Sequence, residues 1–348
     1  MKDISSDVGT QGMQMTDEHM AEPETPILSV DDLRKTYHVG GSFFGRGRKA
    51  LRAVDGVSFQ IGKGEAVGLV GESGCGKSTI GKLVMRLVPS TSGDILLGRE
   101  EITKCSERAL ARHRRTAQII FQDPYGSLDP RMTVGDYIAE PMVVHNIGTR
   151  AERAERVLEL LKSTGLGGDH AGKYPHEFSG GQRQRVAIAR ALSLSPKLVI
   201  ADEPVSALDL SVQASVLNLM KDLQNELGLS YLFISHDISV VRFMCDRILV
   251  MYLGRIVEQA DSNTIFSNPR HPYTVSLLDS VPVPDPRRRS RKRQLLTGDI
   301  ASPLAPPSGC RFRTRCPRAQ GICAEVDPKL QQTKTGGYVA CHNPVSDD

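Results

Sequence analysis

One twelve-residue stretch constrains this chain more than any other: "GLVGESGCGKST", from Gly68 to Thr79. The apolar run "EAVGLV" leads into it and "IGKLVMRLV" leaves it, so it reads as strand, glycine turn and helix. Gly71, Gly76, Lys77 and Ser78 fill the pattern GxxxxGK[ST]. Glycines at this spacing let backbone N–H groups wrap a phosphate at a helix N-terminus, and Ser73, Gly74 and Thr79 belong to the same wrap. Lys77 is placed to reach β and γ phosphates, and Ser78 to ligate magnesium.

The patterns on either side set the fold class. Upstream, "ILSVDDLRKTYHV" and "LRAVDGVSFQI" read as strands, and "GDILLG" follows the loop; together they suggest an antiparallel β region. Then "RAERVLELLKSTGL" and "GGQRQRVAIARALSLS" show the three-four spacing of amphipathic helices, before strand patterns return in "KLVIADEP" and "YLFISHD". Alternating strands and helices imply a mainly parallel α/β core with a helical insertion. The 348 residues, 39% of them hydrophobic, suit two domains. The composition shifts after "RHPYT" to proline, arginine and cysteine, which places a boundary near 268–282.

A second acidic motif completes a nucleotide site. "LVIADEP" is a buried-type strand ending in Asp202, expected on magnesium, and Glu203, expected to polarise the attacking water. With the phosphate loop, it defines a nucleoside triphosphatase. "FSGGQRQR", Phe178 to Arg185, then offers Ser179, Gly180, Gly181 and Gln182 at the start of a helix, a second anion site that one nucleotide does not need from the same subunit.

Here the sequence resembles the ATP-binding cassette (ABC) family, whose signature is LSGGQ; Phe178 replaces the leading Leu. The resemblance spans roughly residues 27–265, with the other family motifs in the family's order. Tyr37 matches the aromatic that stacks on adenine, with Phe43 and Phe44 as nearby competitors and a half-buried strand tyrosine as the plainer reading. Gln122 in "IIFQDP" matches the Q-loop glutamine, a contact of magnesium and of the attacking water. "SALD", ending at Asp209, matches the D-loop of the dimer interface, and His236 in "FISHD" the switch histidine. The resemblance implies an α/β ABC-type nucleotide-binding domain: a P-loop α/β core, an antiparallel β region and a helical subdomain at about 125–190. It further implies two cassettes clamping two ATP molecules, so a chain with one cassette needs a second ATP-binding subunit.

The tail is more specific. "NPRHPYTVSLLDSVP", "PPSGCRFRTRCPRAQGIC" and "YVACH", in roughly 268–343, are similar to the C-terminal region of ATP-binding subunits of bacterial dipeptide and oligopeptide importers, most of all the F-type. That resemblance implies a D-type partner cassette, two membrane permease subunits and a peptide-binding protein, with this chain peripheral on the cytoplasmic face of the inner membrane. Nickel importers and carriers of other small solutes share the tail, and a soluble ABC ATPase is the remaining alternative. Long coiled-coil insertions, a second cassette and a helix-turn-helix would mark chromosome, translation or regulatory proteins, and none is visible.

Of seven cysteines, Cys75, Cys105 and Cys245 are scattered, while Cys310, Cys316, Cys323 and Cys341 crowd the last part of the chain. Spacers of five, six and seventeen residues are wider than a zinc-ribbon knuckle and suit a 4Fe-4S cubane, as the family resemblance also does. Zinc stays open, with His342 as a substitute ligand, as do four reduced structural cysteines. The expected organisation is a disordered segment 1–26, a cassette 27–267 and a small cysteine-rich C-terminal region 268–348. A net charge of +4 gives no argument for nucleic acid, and the run "RRRSRKR" at Arg287–Arg293 reads as a solvated linker. The chain has no signal-like or membrane-spanning apolar run, so a cytosolic location is expected.

Overall fold

The computed structural model describes residues 25–40, 48–123, 126, 128–280, 301–334 and 336–345. The segment 1–26 lies almost wholly outside these residues, and so do Phe43, Phe44 and the basic run 287–293.

Two sheets face each other. β1 (Leu28–Val39), β2 (Lys49–Ile61), β4 (Ser92–Leu97) and β5 (Glu100–Glu101) form an antiparallel sheet in the order β2-β1-β4-β5. The larger sheet is built on β3 (Ala66–Val70), β6 (Ala117–Ile120), β7 (Leu198–Asp202), β8 (Ser230–Ser235) and β9 (Arg247–Tyr252), mutually parallel in the order β9-β3-β8-β7-β6. β3, β7 and β8 are buried along their whole length, which is why they read as uninterrupted apolar runs.

Strand alternation divides their side chains between two cores. Val67, Leu69, Leu232, Ile234, Leu249 and Met251 pack with Leu28, Val30 and Val57 of the antiparallel sheet. Ala66, Val70, Tyr231, Phe233, Ile248 and Val250 point the other way, into the core shared with the helices.

Helix α1 (Lys77–Val84) leaves the phosphate loop, and α2 (Glu107–Thr116) precedes β6. The helical insertion holds α3 (Val134–Val144), α4 (Arg150–Ser163) and α5 (Gly180–Leu192). α4 begins with a capping box, in which the Thr149 N–H donates to Glu152 Oε2 at 2.6 Å and the Glu152 N–H to Thr149 Oγ1 at 3.3 Å. α6 (Leu210–Leu227) and α7 (Ile238–Met244) follow β7 and β8, with α8 (Ser262–Ser267) and α9 (Pro272–Asp279) beyond β10 (Arg255–Asp261).

The chain's last part continues the large sheet. After α10 (Ile322–Glu325), β12 (Tyr338–Val339) pairs antiparallel with β10 and carries β11 (Gln331–Gln332) at the edge. Phe312 is fully buried against Tyr252 and Tyr273, with ring centroids 5.3 and 5.4 Å apart. The start of α9 is secured from β10, where the Glu258 carboxylate accepts the Arg270 and His271 N–H groups at 2.6 and 2.9 Å. Burial raises the Glu258 pKa and lowers that of His271 to about 3, so the ring is a neutral structural group.

Candidate active site

The phosphate loop lies at the end of β3, where carbonyls of the neighbouring strands β9 and β2 close in on Gly71 and Gly76. Gly76 has φ 111°, and a Cβ there would come 2.1 Å from the Ala53 carbonyl oxygen. Lys77 is buried, and its Nζ donates to the carbonyls of Gly71 at 2.7 Å and Glu72 at 3.0 Å. Ser78 Oγ donates to Asp202 Oδ1 at 2.9 Å across 124 residues of sequence. Burial pushes the Asp202 carboxyl up, although the Ser78 bond opposes it. A divalent cation would offset that desolvation, so this hydroxyl and carboxylate suit magnesium.

Glu203 directly follows β7. It takes a left-handed φ of 48°, a backbone choice that costs a non-glycine residue about 1–3 kcal/mol. Its Oε2 accepts from Gln122 Nε2 at 2.8 Å and lies 3.2 Å from His236 Nδ1. Three motifs separated by up to 114 positions (236 − 122) thus meet on one carboxylate oxygen.

These groups border a cavity of about 550 Å³. Tyr37, Ser73, Gly74, Gly76, Lys77, Ser78, Thr79, Gln122, Glu203 and His236 all line it. Lys35 Nζ sits 4.9 Å from the centroid of the Tyr37 ring. The walls include residues with no sequence signal of their own: Leu51, Arg52 and Ala53 from β2, Leu253 and Gly254 from the β9–β10 turn, and Pro303. They arrive by tertiary pairing, since the Gly254 N–H donates to the Cys75 carbonyl at 2.8 Å.

Ser179, Gly180, Gly181, Gln182 and Asp209 are not among the residues lining that cavity. Ser179 caps α5, accepting the Gln182 N–H at 3.3 Å while its own N–H donates to Gln182 Oε1 at 3.0 Å. Gly181 lets α5 approach α6, because a Cβ there would meet Val212 Cγ1 at 2.3 Å. Asp209 occupies the N-cap position of α6 without a side-chain capping bond, next to Leu210, which is 85% exposed.

The four tail cysteines are free thiols close enough to influence one another. Burial and then the neighbouring thiols raise Cys341 to about 11, and burial also raises Cys310 and Cys316. The expected metal site is not formed as an ion-binding group: among the described residues, no three or more His, Cys, Asp or Glu side chains are placed to hold a metal ion. Neither the expected 4Fe-4S cluster nor the zinc alternative, which needs its sulfurs about 2.3 Å from one point, is supported by this arrangement. His342 Nε2 instead lies 3.0 Å from the Val326 carbonyl oxygen. Cys75 and Cys245 are buried, with thiols raised by burial. No helix among the described residues is long and apolar enough to cross a membrane.

Comparison with known proteins gives this geometry a family. Residues 54–206 match the ABC transporter model, and residues 257–323 match the C-terminal region of oligopeptide/dipeptide transporters. The oligopeptide transport ATP-binding protein AppF of Bacillus subtilis is 51% identical over 324 residues, covering 92% of this chain and 98% of that protein. The chain belongs to the ABC transporter family. As an ABC cassette with a complete phosphate loop, it is an ATPase. The dipeptide transport ATP-binding protein DppF of Haemophilus influenzae is 47% identical over 327 residues, 94% of this cassette chain and 99% of its own. An ATP-binding cassette solved as a dimer in a post-hydrolysis state, bound to ADP and Pi, is 31% identical with a TM-score of 0.60. It covers 68% of this chain and 98% of its own, so the ABC fold is shared.

Proposed function

We propose that this cassette is the ATP-hydrolysing subunit of an importer for di- and oligopeptides. Its partners in this reading are a second, D-type cassette, two membrane permease subunits and a peptide-binding protein, and it sits at the cytoplasmic face of the membrane. The observation that carries the reading is Glu203, held between Gln122 and His236 at a cavity that includes the phosphate loop. The peptide class rests on the tail's match to the oligopeptide/dipeptide family and on the names of the relatives.

In this reading Tyr37 stacks on adenine, and the loop from Gly71 to Thr79 holds the phosphates through backbone N–H groups other than that of Glu72, which Tyr273 takes, with Lys77 on the β and γ groups. Ser78, Asp202 and Gln122 would hold magnesium, which would supply positive charge against the phosphates. Glu203 takes a proton from water as it attacks the γ phosphorus, and His236 keeps that carboxylate in place. Ser179, Gly180, Gly181 and Gln182 supply the anion-binding helix end to the partner's nucleotide, which fits their position away from this chain's own cavity. Asp209 and the exposed Leu210 lie at the shared interface.

In the tail, Cys310, Cys316, Cys323 and Cys341 hold a 4Fe-4S cluster. Such a cluster would supply positive charge to offset thiolates that burial disfavours at Cys310, Cys316 and Cys341.

The test is uptake in cells from which the gene has been deleted. Labelled dipeptide and nickel uptake are measured after complementation with the native chain or with Lys77→Ala. Peptide uptake restored only by the native chain supports the reading, whereas restored nickel uptake with no effect on peptides would replace its substrate.

A further inference from the structure

Glu72, the second residue of the phosphate loop, has no part in the chemistry above, yet it is held from two sides. Its carboxylate accepts both Nη groups of Arg315, Nη1 to Oε2 at 2.8 Å and Nη2 to Oε1 at 3.0 Å. This is the bidentate arrangement that makes arginine–carboxylate pairs strong and directional. The Arg315 side chain is only 7% exposed and lies over the Tyr252 ring, its guanidinium carbon 6.0 Å from the centroid. On the backbone side, the Glu72 N–H donates to the Tyr273 hydroxyl at 2.9 Å, and Tyr273 is fully buried.

Both supports trace to the C-terminal part of the chain. Tyr252, Tyr273 and Phe312 pack as one aromatic group, and Phe312 and Arg315 lie between Cys310 and Cys316. Arg311 fastens the same segment to the cassette through the Asp55 carboxylate and the Leu253 carbonyl. Leu253 and Pro303 themselves line the nucleotide cavity.

We propose that Arg315 is a positioning residue for nucleotide binding: the C-terminal region neutralises and orients Glu72, and so sets the cassette's affinity for ATP. The proposal rests on the reading of Gly71 to Thr79 as the phosphate site. Its physical basis is charge competition. A triphosphate must displace nothing worse than carbonyl contacts from Lys77, whose Nζ lies within 3.0 Å of the Glu72 carbonyl. Without Arg315, the Glu72 carboxylate is an unpaired anion in an anion-binding loop. It repels phosphate and competes with it for the Lys77 ammonium. Arg315 stands 243 positions from Glu72 in the sequence, so no local sequence pattern joins the two.

The experiment is a titration of the full chain with a fluorescent ATP analogue and magnesium, using native protein, Arg315→Ala, Arg315→Lys, Glu72→Gln, Arg315→Ala/Glu72→Gln and Lys77→Ala. Thermal melts confirm that each variant is folded. Arg315→Ala should weaken binding by about tenfold, the effect of losing one charge-assisted pair. Arg315→Lys should lose about threefold, since an ammonium neutralises Glu72 without making both bonds. In the Glu72→Gln background, Arg315→Ala should cost less than about twofold, because no charge is left to neutralise. In the assembled transporter the change should appear in KM for ATP with kcat nearly unchanged.

Native affinity in folded Arg315→Ala, or an equal loss in both Glu72 backgrounds, would overturn the proposal while weakened binding in Lys77→Ala left the phosphate site standing. Should Arg315→Ala not fold, native affinity in Arg315→Lys together with an unchanged KM would overturn it equally. Lys77→Ala binding at native strength would remove the phosphate-site reading and this proposal with it.

Discussion

Asp55→Ala removes the carboxylate to which three arginines donate, with the exposed Arg52 a fourth at 3.8 Å, and its cost depends on which of them can reach water. Arg34 Nη1 donates to it at 2.6 Å and Arg255 Nη2 at 3.2 Å, but these side chains are 40% and 26% exposed. Water replaces their lost bonds, and each pair is worth under about 1 kcal/mol. Arg311 is different, at 8% exposure with its guanidinium shared between Asp55 and the Leu253 carbonyl. Stripping a buried arginine of its carboxylate costs about 3–5 kcal/mol. The carbonyl bond remains, so the lower end, about 3 kcal/mol, is expected, and for a chain of this size that lowers Tm by roughly 4 °C.

Calorimetry reads the shift, and limited proteolysis reads release of the C-terminal region. Adding Arg311→Met should recover part of the loss, because removing a whole buried pair costs less than removing half of it. The pH dependence has a definite sign. Burial raises the Asp55 carboxyl, but Arg311 and Arg255 outweigh it and hold the pKa below the ordinary value. The contribution is therefore complete above the unfolded-state value of about 4 and disappears as pH falls through the folded one. The gap in Tm between native protein and Asp55→Ala should be constant near neutrality and narrow only below about pH 4. A Tm for Asp55→Ala at pH 7 equal to native, or a double variant that loses the sum of the two single losses, would refute the reasoning.

Glu203→Gln should keep ATP binding and lower hydrolysis by about a hundredfold or more, measured as phosphate release from the assembled transporter; a native rate would take the general-base role from this residue. Gly181→Ala should lose about 1–3 kcal/mol in thermal melts, because its Cβ would meet Val212 Cγ1 at 2.3 Å, and Val212→Ala should restore most of it. The chain purified without oxygen should be brown and hold about four irons, both lost in Cys316→Ser, whereas iron-free protein would leave the tail cysteines as plain thiols.

The fold was legible where local chemistry decides structure. "KLVIADEP" and "YLFISHD" are apolar without interruption because β7 and β8 are covered on both faces, and "RILVMY" of β9 carries the same signal. The β6 strand, four residues long, has too little pattern to read, and β11 and β12 have two residues each. In the site, the phosphate-loop residues and Gln122, Glu203 and His236 stand out because their chemistry is carried by short motifs; Ser73 to Thr79 border one cavity with those three, while Gly71 and Asp202 are not among its lining residues. Leu51, Ala53, Gly254 and Pro303 do not stand out, since ordinary strand and turn residues become cavity walls only through long-range pairing. The Glu72–Arg315 pair was invisible for the same reason: a glutamate in a loop and an arginine in a basic tail carry no hint of each other. The spacing of the tail cysteines suggested a metal but said nothing of how closely their sulfurs converge.

The central claim, that ATP hydrolysed at this cassette drives peptides across a membrane, is tested most directly in proteoliposomes. They would contain this chain with its partner cassette and permeases, the peptide-binding protein and a labelled dipeptide on one side, and ATP with magnesium on the cassette side. Accumulation of peptide that requires ATP, parallels phosphate release and is abolished by Glu203→Gln is the predicted result. Peptide movement that proceeds unchanged in the Glu203→Gln transporter, or ATP hydrolysis with no peptide movement in the native one, would contradict the account.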